Sequence, residues 1–84
     1  MNVSIIITCH NREKHLCRAI RSAIDQVFPY GKFEVIVVDD KSTDHSRDLI
    51  MDFGELIIPV FHERNLGLPA ARNTGIRRAK GRYV

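Results

Sequence analysis

Two adjacent carboxylates, Asp39 and Asp40, close a run of four branched aliphatic residues, Val35-Ile36-Val37-Val38, and lead into Lys41-Ser42-Thr43-Asp44. An unbroken apolar run of that kind reads as a strand covered on both faces, because a strand with one wet face would alternate. In open parallel sheets, ligands sit beyond the carboxyl ends of the strands, which is where these carboxylates fall. A second apolar run, Val3 to Cys9, ends among polar residues as well, with Thr8, His10, Asn11 and Glu13 around its end. The two strand ends would form a crevice, with Thr8, His10, Asn11 and Glu13 on one wall and Asp39, Asp40 and Ser42 on the other. Such groups suit a ribose and a nucleobase edge. A carboxylate accepts from a base N–H or a ribose hydroxyl, Thr and Asn exchange hydrogen bonds, and an imidazole can lie against a flat base.

A third constellation is Asn65-Leu66-Gly67-Leu68-Pro69-Ala70-Ala71-Arg72-Asn73. Gly67 permits a tight turn, Pro69 suits the first turn of a helix, and Ala70 and Ala71 allow close backbone packing. Arg72 lies one turn in, where a bidentate guanidinium beside a helix N-terminus could meet a diphosphate. It could equally be a surface arginine, or a brace for Asp39 or Asp40.

The commonest α/β phosphate sites do not fit. The turn after the first strand, Thr8-Cys9-His10-Asn11-Arg12-Glu13, lacks the glycines of a dinucleotide fingerprint, and there is no Gly-x-x-x-x-Gly-Lys-Ser/Thr loop. A phosphoacceptor receiver would need acids after the first strand, where Thr8, Cys9 and His10 stand.

The elements that would position these groups alternate along the chain. Strand one spans Val3 to Cys9, and Asn11 offers a helix N-cap. Leu16, Ala19, Ile20, Ala23, Ile24 and Val27 form one helical stripe, which Pro29, Tyr30 and Gly31 terminate. Strand two spans Phe33 to Asp39. Ser42 or Thr43 would cap a second helix, with Leu49, Ile50 and Phe53 on one face and Gly54 as its stop. Leu56 to His62 is a third strand, placed at a sheet edge by Pro59. A third helix begins at Pro69 and runs to about Lys80; Gly81 ends it, and Arg82-Tyr83-Val84 opens a fourth strand. The order β-α-β-α-β-α-β predicts an α/β fold, a Rossmann-like three-layer parallel sheet with helices on both faces and right-handed crossovers.

Eighty-four residues, 44% of them hydrophobic, allow one domain, 1–84. The short fourth strand reads as part of a longer protein. No apolar run approaches the roughly 20 residues that span a bilayer. The N-terminus does not resemble a signal peptide, so the default compartment is the cytoplasm, with the inner membrane face open to a full-length protein. Cys9 and Cys17 are too few for a disulfide framework and lack metal-ligand spacing; they read as packed, reduced thiols. The net charge of +3 is modest, and Arg77, Arg78, Lys80 and Arg82 read as a solvated face. No nucleic-acid partner is expected.

Val-Ser-Ile-Ile-Ile-x-x-x-Asn-Arg at 3–12, Val-Val-Asp-Asp-x-Ser-Thr-Asp at 37–44 and Asn-x-Gly-x-x-x-Ala-Arg-Asn-x-Gly at 65–75, followed by Lys80-Gly81-Arg82-Tyr83-Val84, resemble the family 2 glycosyltransferases over essentially the whole chain. The resemblance implies the N-terminal half of a GT-A fold and an inverting transferase that uses a nucleotide-sugar, commonly UDP-linked, on a saccharide or lipid-linked hydroxyl. Thr8, His10 and Asn11 would then line the nucleoside pocket, Asp39 and Asp40 would hold base and ribose, and Arg72 would approach the diphosphate. The family's usual Pro-Thr-Tyr-Asn is Thr8-Cys9-His10-Asn11 here, so the aromatic contact to the base rests on a histidine. The Gly of Asp-Asp-Gly-Ser is Lys41. A divalent cation, Mg²⁺ or Mn²⁺, is implied for the full-length enzyme through an Asp-x-Asp motif that this sequence does not contain. This segment by itself is expected to be inactive and, with strand one near an unprotected sheet edge, to form a homo-oligomer. The other class of reading is a non-catalytic α/β module that binds a nucleotide or self-associates.

Overall fold

The computed structural model describes residues 3–27, 33–80 and 82–83. Four parallel strands, β1 (Val3–Cys9), β2 (Phe33–Asp39), β3 (Ile58–Phe61) and β4 (Arg82–Tyr83), lie in the order β3-β2-β1-β4. The helices are α1 (Glu13–Val27), α2 (Ser46–Asp52) and α3 (Leu68–Arg78), and a 3-10 turn, Gly54–Leu56, follows α2. The expected limits of β1 and β2 match those observed, since each apolar run is bounded where burial ends. The terminator Pro29-Tyr30-Gly31, Gly81 and Val84 lie outside the described residues.

Period-two alternation divides the core between the two faces of the sheet. Val35 and Val37 face α1 and α2 and pack with Cys9, Leu16, Ile20, Ala23, Ile50 and Ile57. Ile36 and Val38 face α3 and pack with Ala71, and Ile58, Val60 and Ala79 join them. All four β2 residues are essentially inaccessible, as the two-sided reading of that strand requires. At the opposite end of the strands from the crevice, buried Glu34 accepts from Ser4 Oγ at 2.6 Å and from the Lys80 amide at 2.6 Å, tying β1, β2 and the end of α3 together.

Several local expectations change. Ala19, placed in the apolar stripe of α1, is exposed. β3 is shorter than Leu56 to His62, because the 3-10 turn takes up Leu56; it is an edge strand, as Pro59 required. α3 stops at Arg78 rather than Lys80, and Gly67, with φ +96, is its N-cap. Neither Ser42 nor Thr43 caps α2, which starts after His45; the Ser46 amide instead donates to Asp44 Oδ1 at 2.9 Å. Asn11 does not cap α1. It adopts a left-handed φ of 55, and the Arg12 carbonyl takes the first helical bonds, from His15 and Leu16.

Candidate functional site

The strand pleat separates the two adjacent carboxylates. Asp39 turns to the α1/α2 side, Asp40 to the α3 side, and each is inaccessible to solvent. Asp39 Oδ1 accepts from Cys9 Sγ at 3.2 Å and from Ser42 Oγ, while its Oδ2 accepts from the Ser42 amide and Arg47 Nε, each at 3.0 Å. Arg47, from α2, also donates to the His62 carbonyl at 2.6 Å and stacks on Phe61 with 4.9 Å to the ring centroid. Asp40 Oδ1 accepts from His62 Nδ1 at 2.9 Å and from the Leu66 amide at 2.8 Å; Oδ2 accepts from the Gly67 amide at 2.8 Å. The braces of the acidic pair are therefore Arg47 and His62, and Arg72 is not one of them.

The loops after β1 and β2 cap each other. The Asn11 amide donates to Ser42 Oγ at 2.9 Å, and Asn11 Oδ1 accepts from the amides of Thr43 and Asp44 at 2.7 and 3.3 Å. Asp44 Oδ2 in turn accepts from the Glu13 amide, at 3.2 Å, at the start of α1. Lys41 holds a left-handed φ of 57, so the position where the resembled motif has glycine does use the conformation that glycine favours.

His10 stands between these loops. Its Nδ1–H donates to the Asp40 carbonyl at 2.7 Å, which leaves Nε2 as the acceptor for Asn65 Nδ2 at 3.2 Å. The β3–α3 loop thus reaches across to the end of β1. Thr8 and Arg72 come together with Leu68 and Pro69 around a shallow cleft of ≈ 220 Å³. Glu13 falls elsewhere: it lines a separate cleft of ≈ 260 Å³ with Asn11, Arg12, Lys14, His15 and Asp44, and pairs with the exposed His45 at 3.1 Å. The sequence reading did not single out Arg47, His62 or Thr74, and it named Asn65 only within the third constellation, without a role. Strand register could have pointed to His62, because Asp39 pairs with Phe61 and the next residues are Asp40 and His62.

Ionisation follows from these contacts. Burial opposes the charge on Asp39, but hydrogen bonds from the Ser42 hydroxyl and amide, Cys9 and Arg47 outweigh it and hold the carboxyl below its usual 3.8. Burial likewise opposes the charge on Asp40, and the Leu66 amide, His62 and the Gly67 amide outweigh it. The Cys9 thiol is pushed up to about 12, first by burial and then by Asp39, so it remains a protonated donor. Because both carboxyls titrate lower in the folded chain than in the unfolded one, the stability they contribute is present above pH ~4 and lost as pH falls through the folded values. We expect the urea midpoint to fall as pH drops below about 4, and to fall less in Asp40→Asn, as followed by circular dichroism.

Among the described residues no three His, Cys, Asp or Glu side chains converge as metal ligands. The implied divalent cation therefore has no fitting donor set here, since Asp39 and Asp40 face opposite sides and already accept from protein donors. No helix among the described residues is long and apolar enough to cross a membrane.

Residues 4–84 match the family model described as Glycosyl transferase family 2. The Poly(ribitol-phosphate) beta-glucosyltransferase of Bacillus spizizenii (strain ATCC 23059 / NRRL B-14472 / W23) is 36% identical over 88 residues, covering 100% of this chain and 14% of that protein. S. aureus TarS 1-349 in complex with UDP-GlcNAc superposes with a TM-score of 0.84 at 33% identity, over 96% of this chain and 24% of its own. The mannosyltransferase PcManGT from Pyrobaculum calidifontis, in complex with GDP-Man and Mn²⁺, gives 0.83 at 27% identity, over 94% of this chain and 24% of its own. The chain spans between 12% and 33% of the length of such curated relatives. The family match runs from β1 through α3 to the chain's last residue, and the α/β architecture is that of the GT-A transferases. The chain belongs to glycosyl transferase family 2.

Proposed function

We propose that this chain is the nucleotide-sugar-binding segment of an inverting glycosyltransferase that moves a sugar from a nucleotide donor, UDP-linked, to a saccharide or lipid-linked hydroxyl. One observation carries the reading. The ends of β1 and β2 and the β3–α3 loop are locked into a single polar rim, with His10, Asn11 and Asn65 at its surface and the Thr8–Arg72 cleft beside it. A preorganised rim at the carboxyl ends of parallel strands is where such a ligand binds. In this proposal Thr8, His10 and Asn11 line the nucleoside pocket and Arg72 meets the diphosphate. Asp39, Asp40 and Ser42 act at the base and ribose side, chiefly by holding the loops, and Glu13, in the separate cleft beside His45, is not part of the site. The UDP-GlcNAc bound by TarS supports a uridine donor, whereas the GDP-Man of PcManGT shows that relatives of this fold differ in base.

A divalent cation belongs to the proposal for the full-length enzyme only, with ligands other than the described residues. The 84-residue segment is proposed to be inactive by itself, and acceptor-dependent transfer by the purified chain would contradict that. A cytoplasmic location is part of the same proposal. So is self-association: β4 pairs with β1 only at Val3 and Ser4, so among the described residues no strand covers that edge from Ile5 to Cys9. Light scattering should give a dimer or larger mass; a monomer mass would remove this part.

Binding is tested by NMR titration with UDP to millimolar concentration. Amides of residues 8–11 and 39–42 should shift more than those elsewhere. No shift in either loop would refute the pocket.

A further inference from the structure

His62 is the one buried histidine among the described residues, 7% exposed at the end of β3, and every polar atom it has is engaged. Its Nδ1–H donates to Asp40 Oδ1 at 2.9 Å, and its Nε2 meets Thr74 Oγ1, on α3, at 2.9 Å. The single Thr74 hydroxyl proton is shared between Nε2 and the Ala70 carbonyl, 3.0 Å away, and Arg77 donates to the same oxygen at 3.3 Å. The His62 amide donates to the Asp39 carbonyl at 2.9 Å, and its carbonyl accepts from Arg47. One residue thus touches β2, α2 and α3.

What hangs on this arrangement is the β3–α3 loop. The carboxylate that His62 holds is the same one that takes the Leu66 and Gly67 amides. Two residues before Gly67, Asn65 reaches His10, and immediately after it α3 begins, carrying Arg72. An apolar side chain in place of His62 would fill the space but leave Asp40 tied only to the two loop amides, Leu66 and Gly67, so that carboxylate and loop could shift together. We propose that His62 is a positioning residue of the nucleotide site. Clamped between Asp40 and Thr74, it fixes the Asp40 rotamer, and through it the loop, the Asn65–His10 contact and the start of α3 where Arg72 lies. The inference rests on the nucleotide reading above and adds to it a residue whose side chain does not itself meet the ligand.

The test uses the ¹⁵N-labelled chain as wild type, His62→Asn and His62→Gln, with UDP as the probe. Asparagine places its amide nitrogen near the former Nδ1 and can keep the bond to Asp40, whereas glutamine reaches toward Thr74 and gives that bond up. His62→Asn should keep the Leu66 and Gly67 amide resonances in place and UDP affinity within about threefold of wild type. His62→Gln should move both amides and weaken UDP about tenfold, the equivalent of one charge-assisted hydrogen bond. If His62→Gln fails to fold, Thr74→Val, which removes the Nε2 partner at nearly constant shape, should likewise move the two amides and weaken UDP. Wild-type affinity with unmoved Leu66 and Gly67 amides in whichever of these variants folds would overturn the inference while leaving the nucleotide reading intact. Absence of UDP binding by the wild type would overturn both.

Discussion

Asp40→Asn is expected to destabilise the fold by about 2–4 kcal/mol, because a group that must accept from three donors becomes one that accepts on one side and donates on the other. Whichever way the amide is flipped, its NH₂ faces either the Gly67 amide or the pair formed by His62 Nδ1 and the Leu66 amide. Each arrangement sets buried donor against donor. A chain of this length has roughly 4–13 kcal/mol of stability in total, so the change removes a large part of it. Asp44→Asn is the control. Asp44 also accepts from two amides, but it is only half-buried, so water can replace a contact that the asparagine NH₂ loses. Urea unfolding of the two variants side by side should show a large loss for Asp40→Asn and almost none for Asp44→Asn. Equal losses would mean that the Asp40 contacts contribute nothing special.

Gly75→Ala should also destabilise, by about 1–3 kcal/mol from overpacking, less the ~1 kcal/mol that alanine gains over glycine within a helix. Gly75 is where α3 lies closest to the sheet. A Cβ there would fall inside contact distance of Ile6 Cγ2, 3.3 Å from Ile6 Cγ1 and 3.4 Å from Val38 Cγ2. Ile6 is branched at Cβ and stiff about its first torsion, so it cannot swing aside and the helix must lift instead. The lift would carry Thr74 away from His62 and Arg72 away from Thr8. Thermal melts of Gly75→Ala, alone and with Ile6→Ala, are the measurement. In the Ile6→Ala background the same substitution should cost nothing or stabilise, a coupling that neighbours in contact show and distant sites do not. A Gly75→Ala chain more stable than wild type would mean that the helix seats with room to spare.

Both substitutions concern features that the sequence made only half visible. The strands β1 and β2 were legible to their last residues because their apolar runs are set by burial, which local composition records. Pro59 placed β3 at the edge because a residue without an amide hydrogen interrupts a central ladder. Gly75 was visible as part of a motif, but its reason, the approach of α3 to Ile6, depends on packing between residues far apart in the chain. The acidic pair was located correctly at the strand end, yet its partners were not legible. Asp39 draws on Cys9 and Arg47, and Asp40 on His62, Leu66 and Gly67, choices made by the fold across as many as 30 positions. The same applies to Asn11 and Ser42, which looked like caps for their own helices. In the fold they serve each other's loop, because the parallel pairing of β1 and β2 brings the two turns side by side.

If the joined loops at the carboxyl ends of β1, β2 and β3 form the proposed nucleotide site, photoaffinity labelling with an azido-uridine diphosphate will mark them. Labelled chain is digested and the modified peptide sequenced, with and without excess UDP. Label is expected within residues 8–13, 39–42 or 65–72, suppressed by UDP. Label confined to the outer faces of α1 and α2, or label that UDP does not suppress, would contradict it.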